Sequence, residues 1–302
     1  MAEEFSNNPE NKLVISAALT GAATRKEQNE AVPYSAEEFG DEAKKCYDAG
    51  AAIVHLHIRD PEKGIPTPDL DLIRAALENI KSKAPDIIIN LSTAISAVAT
   101  PKERITPVKE FKPPLASLNT NSMNFSIGDF KTGKVVMAKG NIFANDFGTI
   151  EKFAKSMRRA GTKPEMEIYD MGGMHNMLFL NKQVGLFEQP LHFQFVFGVL
   201  GGQPFSPEAL GYLLNLKPPN ATWSVCGVSY QQFQAGLSAA AWNGHIRVGL
   251  EDNIRMPNGD LAKGSWEQVE WAKKVAELSG REIAQGDEAK KIFNLINDDI
   301  TL

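Results

Sequence analysis

Two histidines, His55 and His57, stand two residues apart in the apolar run Ile53-Val54-His55-Leu56-His57-Ile58-Arg59-Asp60. Side chains alternate along a strand, so both imidazoles would face one side and Leu56 the other. Neutral imidazole nitrogens on one face can bind a metal at about 2.0–2.1 Å. A pair of hydrogen-bonded core histidines is the simpler alternative, and a third ligand would separate the two. One is on offer where the run Ile246–Leu250 passes straight into Glu251-Asp252. Two histidines and one carboxylate form a ligand set of catalytic zinc sites, with a position left for water or substrate. A solvated loop or a helix N-terminus is the plainer account of the two acids. Glu165 and Glu167 share one face of the run Glu165–Tyr169, and inward carboxylates are hard to justify as packing. Glu167, nearer the C-terminal end, is the one expected in the site.

These residues fall at the ends of short apolar runs that alternate with longer amphipathic stretches. The chain opens with Leu13–Leu19 and then Ser35–Ala49, where Ser35 and Glu38 have capping-box spacing. Ala52–His57 precedes Asp69–Lys81, Ile87–Leu91 precedes Pro101–Glu110, and Leu115–Asn119 precedes Phe147–Ala160. Glu165–Tyr169 precedes Met174–Val184, and His192–Phe197 precedes Pro207–Leu216. Trp223–Val228 precedes Tyr230–Ala241, and Ile246–Leu250 precedes Ser265–Leu278. Strict alternation of continuous apolar strands with helices predicts a parallel sheet covered by helices. Repetition of the unit to the end of the chain favours a closed (β/α)₈ TIM barrel over an open sheet. Nothing in the composition marks a boundary, so residues 1–302 are expected to form one domain, with residues 125–141 as an elaborated loop or hairpin on the C-terminal rim.

With 302 residues, 43% of them hydrophobic and 23% charged, the chain can bury a large core. Its formal charge of −5 is scattered rather than gathered in a basic stripe, which argues against nucleic acid as a partner. Cys46 and Cys226 are its 2 cysteines, too few for a disulfide framework, so a reducing cytoplasm fits. Residues 1–12 are polar and acidic, unlike an export signal, and no run approaches the ~18 apolar residues of a membrane span. Phosphate-loop and dinucleotide-binding glycine motifs are absent, which leaves nucleotide cofactors unsupported.

Several stretches together resemble the β-keto acid cleavage enzymes: Thr20-Gly21-Ala22, the H-x-H-x-R at 55–59, Ser92-Thr93, Ala116–Asn119, Lys163–Glu167 and, most specifically, Arg247–Asn253. The resemblance spans nearly the whole chain. It implies a (β/α)₈ barrel, zinc held by His55, His57 and Glu251, and acyl exchange between a β-keto acid and acetyl-CoA that yields acetoacetate and a new acyl-CoA. It also suggests a homotetramer. In that chemistry acetyl-CoA loses an α-proton, and a carboxylate beside an arginine can take it. Asp252 is expected as that base and Arg247 as its partner, since Arg247 and Gly249 share the strand face toward the mouth.

Ser92 and Thr93 would bind a substrate carboxylate or else merely close a turn. Ser117 and Asn119 share a face where the resemblance places a hydroxyl side chain. Two departures bear on the substrate. Ala23 stands where a relative that handles an amine has a glutamate, and Ser92-Thr93-Ala94-Ile95 replaces Ser-Thr-Gly-Gly. A keto acid without an ammonium at its far end, and a pocket of different dimensions, are expected. A metal-dependent barrel aldolase or hydrolase is the alternative, separated by a requirement for acetyl-CoA. A non-catalytic ligand-binding barrel would be expected to lack Asp252 or Arg247, and both are present.

Overall fold

The apolar runs and amphipathic stretches fold as βα repeats in a computed structural model that describes residues 11–95, 99–129, 132–137 and 140–302. In chain order come β1 (Ile15–Ala18), α1 (Ala36–Ala49), β2 (Ile53–Leu56), α2 (Leu70–Lys83), β3 (Ile88–Leu91), α3 (Pro101–Phe111) and β4 (Leu115–Asn119). Four short strands follow, β5 (Met123–Asn124), β6 (Ile127–Asp129), β7 (Lys134–Met137) and β8 (Ile142–Phe143), and then α4 (Phe147–Ala160). Next are β9 (Lys163–Ile168), α5 (Met171–Leu180), β10 (His192–Phe197) and α6 (Pro207–Leu216). The last elements are β11 (Thr222–Gly227), α7 (Gln231–Ala241), β12 (His245–Val248), α8 (Ser265–Leu278) and α9 (Gly286–Phe293).

β1, β2, β3, β4, β9, β10, β11 and β12 pair in parallel in that order, and β12 closes on β1 to complete a (β/α)₈ barrel. Segment 125–141 is largely hairpin: β6 pairs with β7, and β5 with β8 around it. Residues 130–131 and 138–139 of that segment lie outside the described ones, as do residues 1–10 of the acidic N-terminus.

Local signals set most helix starts. Ser35 and Glu38 form the expected capping box, Thr100 and Glu103 form another, and Asp69, Asp146 and Ser206 cap α2, α4 and α6. One helix departs from expectation: α5 runs from Met171 to Leu180 rather than 174–184, because Asp170 caps it by accepting from Gly173 N–H. The chain then turns, with Gln183 N–H donating to the Leu180 carbonyl. Among the described residues, no helix is long and apolar enough to cross a membrane.

Outward side chains such as Ile89, Phe193, Phe195, Val225 and Val248 pack against the helices in the main core. The register staggers neighbouring strands so that inward residues of alternate strands share a level. Near the floor Val14, Ile53, Ile88 and Leu115 pack with Ala289 and Phe293 of α9, which plugs the barrel from below. The Phe293 ring lies 4.2 Å from that of His192 and 5.0 Å from that of His245. Above the floor the lining becomes polar: one level holds Ser16, Asn90, Glu165 and Ser224, and the next holds His55, Ser117, Gln194 and Arg247, all buried. Bulky apolar residues usually fill such levels.

Candidate active site

Strand alternation carries His55 at the end of β2, and His57 just beyond it, to the same side of the barrel wall. Their Nε2 atoms lie 3.8 and 3.5 Å from Oε1 of Glu251. Ligand atoms of all three residues fall within 4.8 Å of one another. Glu251 gets there because the chain turns sharply after β12. Gly249 has φ +142°, and a Cβ at that position would lie 2.1 Å from the Ala18 carbonyl oxygen. Glu251 N–H then donates to the Ala18 carbonyl at 3.1 Å. Gly21, at φ +65°, makes the opposite wall, where a Cβ would sit 2.5 Å from Glu251 Cγ. The buried Arg59 guanidinium ties this wall down, donating to the carbonyls of Thr20, Gly21 and Thr24 at 3.1, 2.6 and 2.7 Å, and to that of Gly64.

The three residues fit a divalent cation. Nδ1 of His55, Nδ1 of His57 and Oε2 of Glu251 are buried without a hydrogen-bond partner, a costly state that a metal and its surroundings would relieve. Burial lowers His55 to about 4, keeping the imidazole in its neutral, ligating form. Burial works against the Glu251 anion, but Arg247 and then the two histidines hold its carboxyl well below the usual range.

Arg247, the inward residue of β12, organises the acids around this cluster. Its Nε and Nη2 donate to Asp252 Oδ2 and Oδ1 at 2.8 and 2.9 Å, a two-pronged grip that fixes the carboxylate plane. Nη2 also reaches Glu251 Oε1 at 2.7 Å, and Nη1 reaches Glu167 Oε1 at 3.4 Å. One cation thus serves three buried carboxyls. Burial raises Asp252 to about 6 and Glu167 to about 8, each against the pull of Arg247 and with support from neighbouring carboxylates. The Tyr169 hydroxyl sits between Glu167 Oε2 at 3.3 Å and Asn119 Oδ1 at 3.2 Å. A buried proton acceptor beside a cation, and a carboxyl that keeps its proton at neutral pH, equip this place for acid–base chemistry.

A family model described as beta-keto acid cleavage enzyme matches residues 12–295. The chain belongs to that family. It is 40% identical to the 3-keto-5-aminohexanoate cleavage enzyme of Fusobacterium nucleatum over 94% of this chain and 98% of the relative. It is 33% identical to the 3,5-dioxohexanoate:acetyl-CoA acetone transferase of Paraburkholderia graminis, over 94% of this chain and 96% of that one. Among solved structures, apo ObcA superposes with a TM-score of 0.69 at 22% identity, covering 88% of this chain and 66% of ObcA, a likeness of fold.

In this member of the family the geometry brings together His55, His57, Glu251, Arg247, Asp252 and Glu167. Asn119 joins through Tyr169, and its Nδ2 is a buried donor without a partner. The hydroxyl residues are arranged differently. Thr93 N–H donates to Ser117 Oγ at 3.1 Å and the Thr93 hydroxyl to the Ser117 carbonyl at 2.8 Å, so the two groups satisfy each other. Ser92 Oγ accepts from Ala94 N–H at 3.1 Å, which is turn chemistry. Tyr169 is the site residue the sequence reading passed over. Its signal was available, since it continues the i, i+2 alternation of Glu165 and Glu167.

Proposed function

We propose that the chain catalyses acyl exchange between a β-keto acid and acetyl-CoA, forming acetoacetate and a new acyl-CoA, with zinc held by His55, His57 and Glu251. The observation that carries this reading is the juxtaposition of that ligand cluster with the Arg247–Asp252 pair, 2.7 Å away through Glu251. The relatives' names support it, one a cleavage enzyme for 3-keto-5-aminohexanoate and one a transferase using 3,5-dioxohexanoate and acetyl-CoA. When bound, the cation supplies a Lewis acid for the ketone of the keto acid. The products require a new bond between the acetyl carbonyl carbon and C2 of the keto acid and loss of the C2–C3 bond. Asp252, its carboxylate held in one plane by Arg247, therefore accepts the keto acid's C2 proton rather than the expected α-proton of acetyl-CoA. Glu167 keeps its own proton at neutral pH and is a hydrogen-bond donor to substrate oxygen. Asn119 Nδ2 at the end of β4 and the Ser92 hydroxyl just past β3 provide donors for the substrate carboxylate, while the Thr93–Ser117 bonds fix the two strand ends that present them.

Ala23, half-buried beside Gly21, offers no anion to an ammonium, so the preferred keto acid has a neutral tail. In this reading residues 1–302 form one barrel domain, working as a homotetramer in the reducing cytoplasm, where the buried thiols of Cys46 and Cys226 stay free. Metal analysis tests the centre of the proposal. Purified protein should carry one equivalent of zinc, and the folded His55→Ala/His57→Ala variant should carry almost none and show no acyl exchange. A full equivalent of zinc in that folded variant would place the metal elsewhere.

A further inference from the structure

Beneath the ligand cluster the barrel holds a second set of polar side chains that the proposed reaction leaves unused. Glu165 is buried on β9, one level below His55. Its Oε1 accepts from Asn90 Nδ2 at 2.7 Å, and its Oε2 lies 3.6 Å from His192 Nε2, an ion-pair distance too long for a hydrogen bond. Asn90 on β3 is the register partner of His55 on β2, and both side chains point inward. With its amide nitrogen engaged by Glu165, Asn90 presents its carbonyl Oδ1, which has no partner. His55 directs Nε2 toward Glu251, which leaves Nδ1 buried and equally without a partner. Glu165 Oε2 and Gln194 Nε2 complete a group of four unpartnered polar atoms on two adjoining levels.

Two donors and two acceptors in a sealed polar interior suit ordered water, which typically makes about three such bonds. A middle layer of this chemistry is expensive to bury and is not explained by packing, because apolar side chains would fill the same levels at lower cost.

We propose that Glu165 is a positioning carboxylate for His55, acting through Asn90 and ordered water inside the barrel. The arrangement accepts a hydrogen bond from His55 Nδ1–H, which selects the tautomer with its lone pair on Nε2 and sets the ring's orientation toward the metal. His192 Nε2 lies beside Glu165 Oε2 at 3.6 Å, and its ring is clamped in turn by Thr222 Oγ1 at 2.9 Å and Ser224 Oγ at 3.4 Å. Glu165 is thus approached from two sides, by Asn90 on its own level and His192 on the level below.

This inference rests on His55 being a metal ligand, and the test separates the two. Zinc affinity is measured by competition with a chromophoric chelator for the wild type, Glu165→Gln, Asn90→Ala and His55→Ala, with apo-protein thermal midpoints recorded alongside. Glu165→Gln and Asn90→Ala should each lower zinc affinity by roughly 10- to 100-fold, the range for outer-shell partners of a ligating histidine. Glu165→Asp should recover part of the loss. In zinc-loaded protein labelled with ¹⁵N-histidine, His55 should show the Nδ1–H tautomer, and that signature should weaken in Glu165→Gln. Affinity within twofold of wild type in either folded variant, with His55→Ala losing zinc, would overturn this role and leave the metal site standing. If His55→Ala itself keeps full affinity, the metal assignment fails and the inference with it.

Discussion

The residues that matter most here are two adjacent acids whose pKa values are shifted in opposite directions. Glu251 and Asp252 share Arg247, yet Glu251 is held well below the usual carboxylate range while burial lifts Asp252 to about 6. A carboxyl ligand must be ionised, and a base works best with a pKa near the operating pH, so each value suits its proposed role. Asp252 acts in its ionised form. Its contribution to kcat/KM is therefore complete above about 6 and lost as pH falls through that value. Asp252→Asn should keep its zinc, lose a factor of roughly 10² or more in turnover and lose this acid limb. Steady-state rates across pH 5 to 9 on metal-replete protein (approximately that window suffices) decide the matter, and an unchanged acid limb in Asp252→Asn would remove Asp252 from the role. At this scale the sequence was a good guide to orientation, because period-two alternation put His55, His57, Arg247 and Glu167 on the inner wall. It was a poor guide to what each hydroxyl does. Ser117 and Thr93 bond to each other across neighbouring strands, and no single-sequence signal carries that contact.

At the scale of elements, the site depends on two loops meeting above β1 and β12. The Thr20–Thr24 loop is held by five hydrogen bonds of the kind a buried arginine makes well, and Arg59, two residues past His57, supplies them. Its wall at Gly21 touches Glu251 so closely that any Cβ must displace the ligand. Gly21→Ala also meets a φ of +65°, where L side chains are strained. The variant should fold, since the barrel core is untouched, but bind zinc at least about tenfold more weakly, because Glu251 is pushed out of line. Chelator competition measures this directly, and wild-type affinity in Gly21→Ala would show that Glu251 does not need the contact. The boundaries of α1, α4 and α6 were readable from caps and apolar period, and that of α8, which has no side-chain cap, from apolar period alone. α9 was not read, because it follows the last βα unit and spans only eight residues, although its apolar stripe of Ala289, Ile292 and Phe293 has helical spacing. Its job, closing the barrel floor against Val14, Ile53, Ile88 and Leu115, exists only once the barrel has formed.

For the whole molecule, alternation of strand and helix was enough to foresee a closed barrel, since parallel strands buried on both faces leave few other solutions. What the pattern could not convey is how polar the interior would be. Glu165, His192, Asn90 and Ser224 lie among residues that sequence reasoning assigns to core strands, and only the register reveals that they stack beneath the ligand cluster. The molecule is therefore a barrel whose floor is apolar, whose middle is polar and whose mouth gathers three carboxyls on one arginine. The claim that this mouth exchanges acyl groups with acetyl-CoA is tested most directly with acetyl-CoA carrying ¹³C at both acetyl carbons and an unlabelled, neutral-tailed β-keto acid. Atom balance requires the keto acid's acyl group to leave on CoA and the acetyl group to join the remaining carboxymethyl unit. Mass spectrometry should therefore show doubly labelled acetoacetate and an unlabelled new acyl-CoA, both absent when acetyl-CoA is withheld. Cleavage of the keto acid at the same rate without acetyl-CoA, or unlabelled acetoacetate in its presence, would contradict the account.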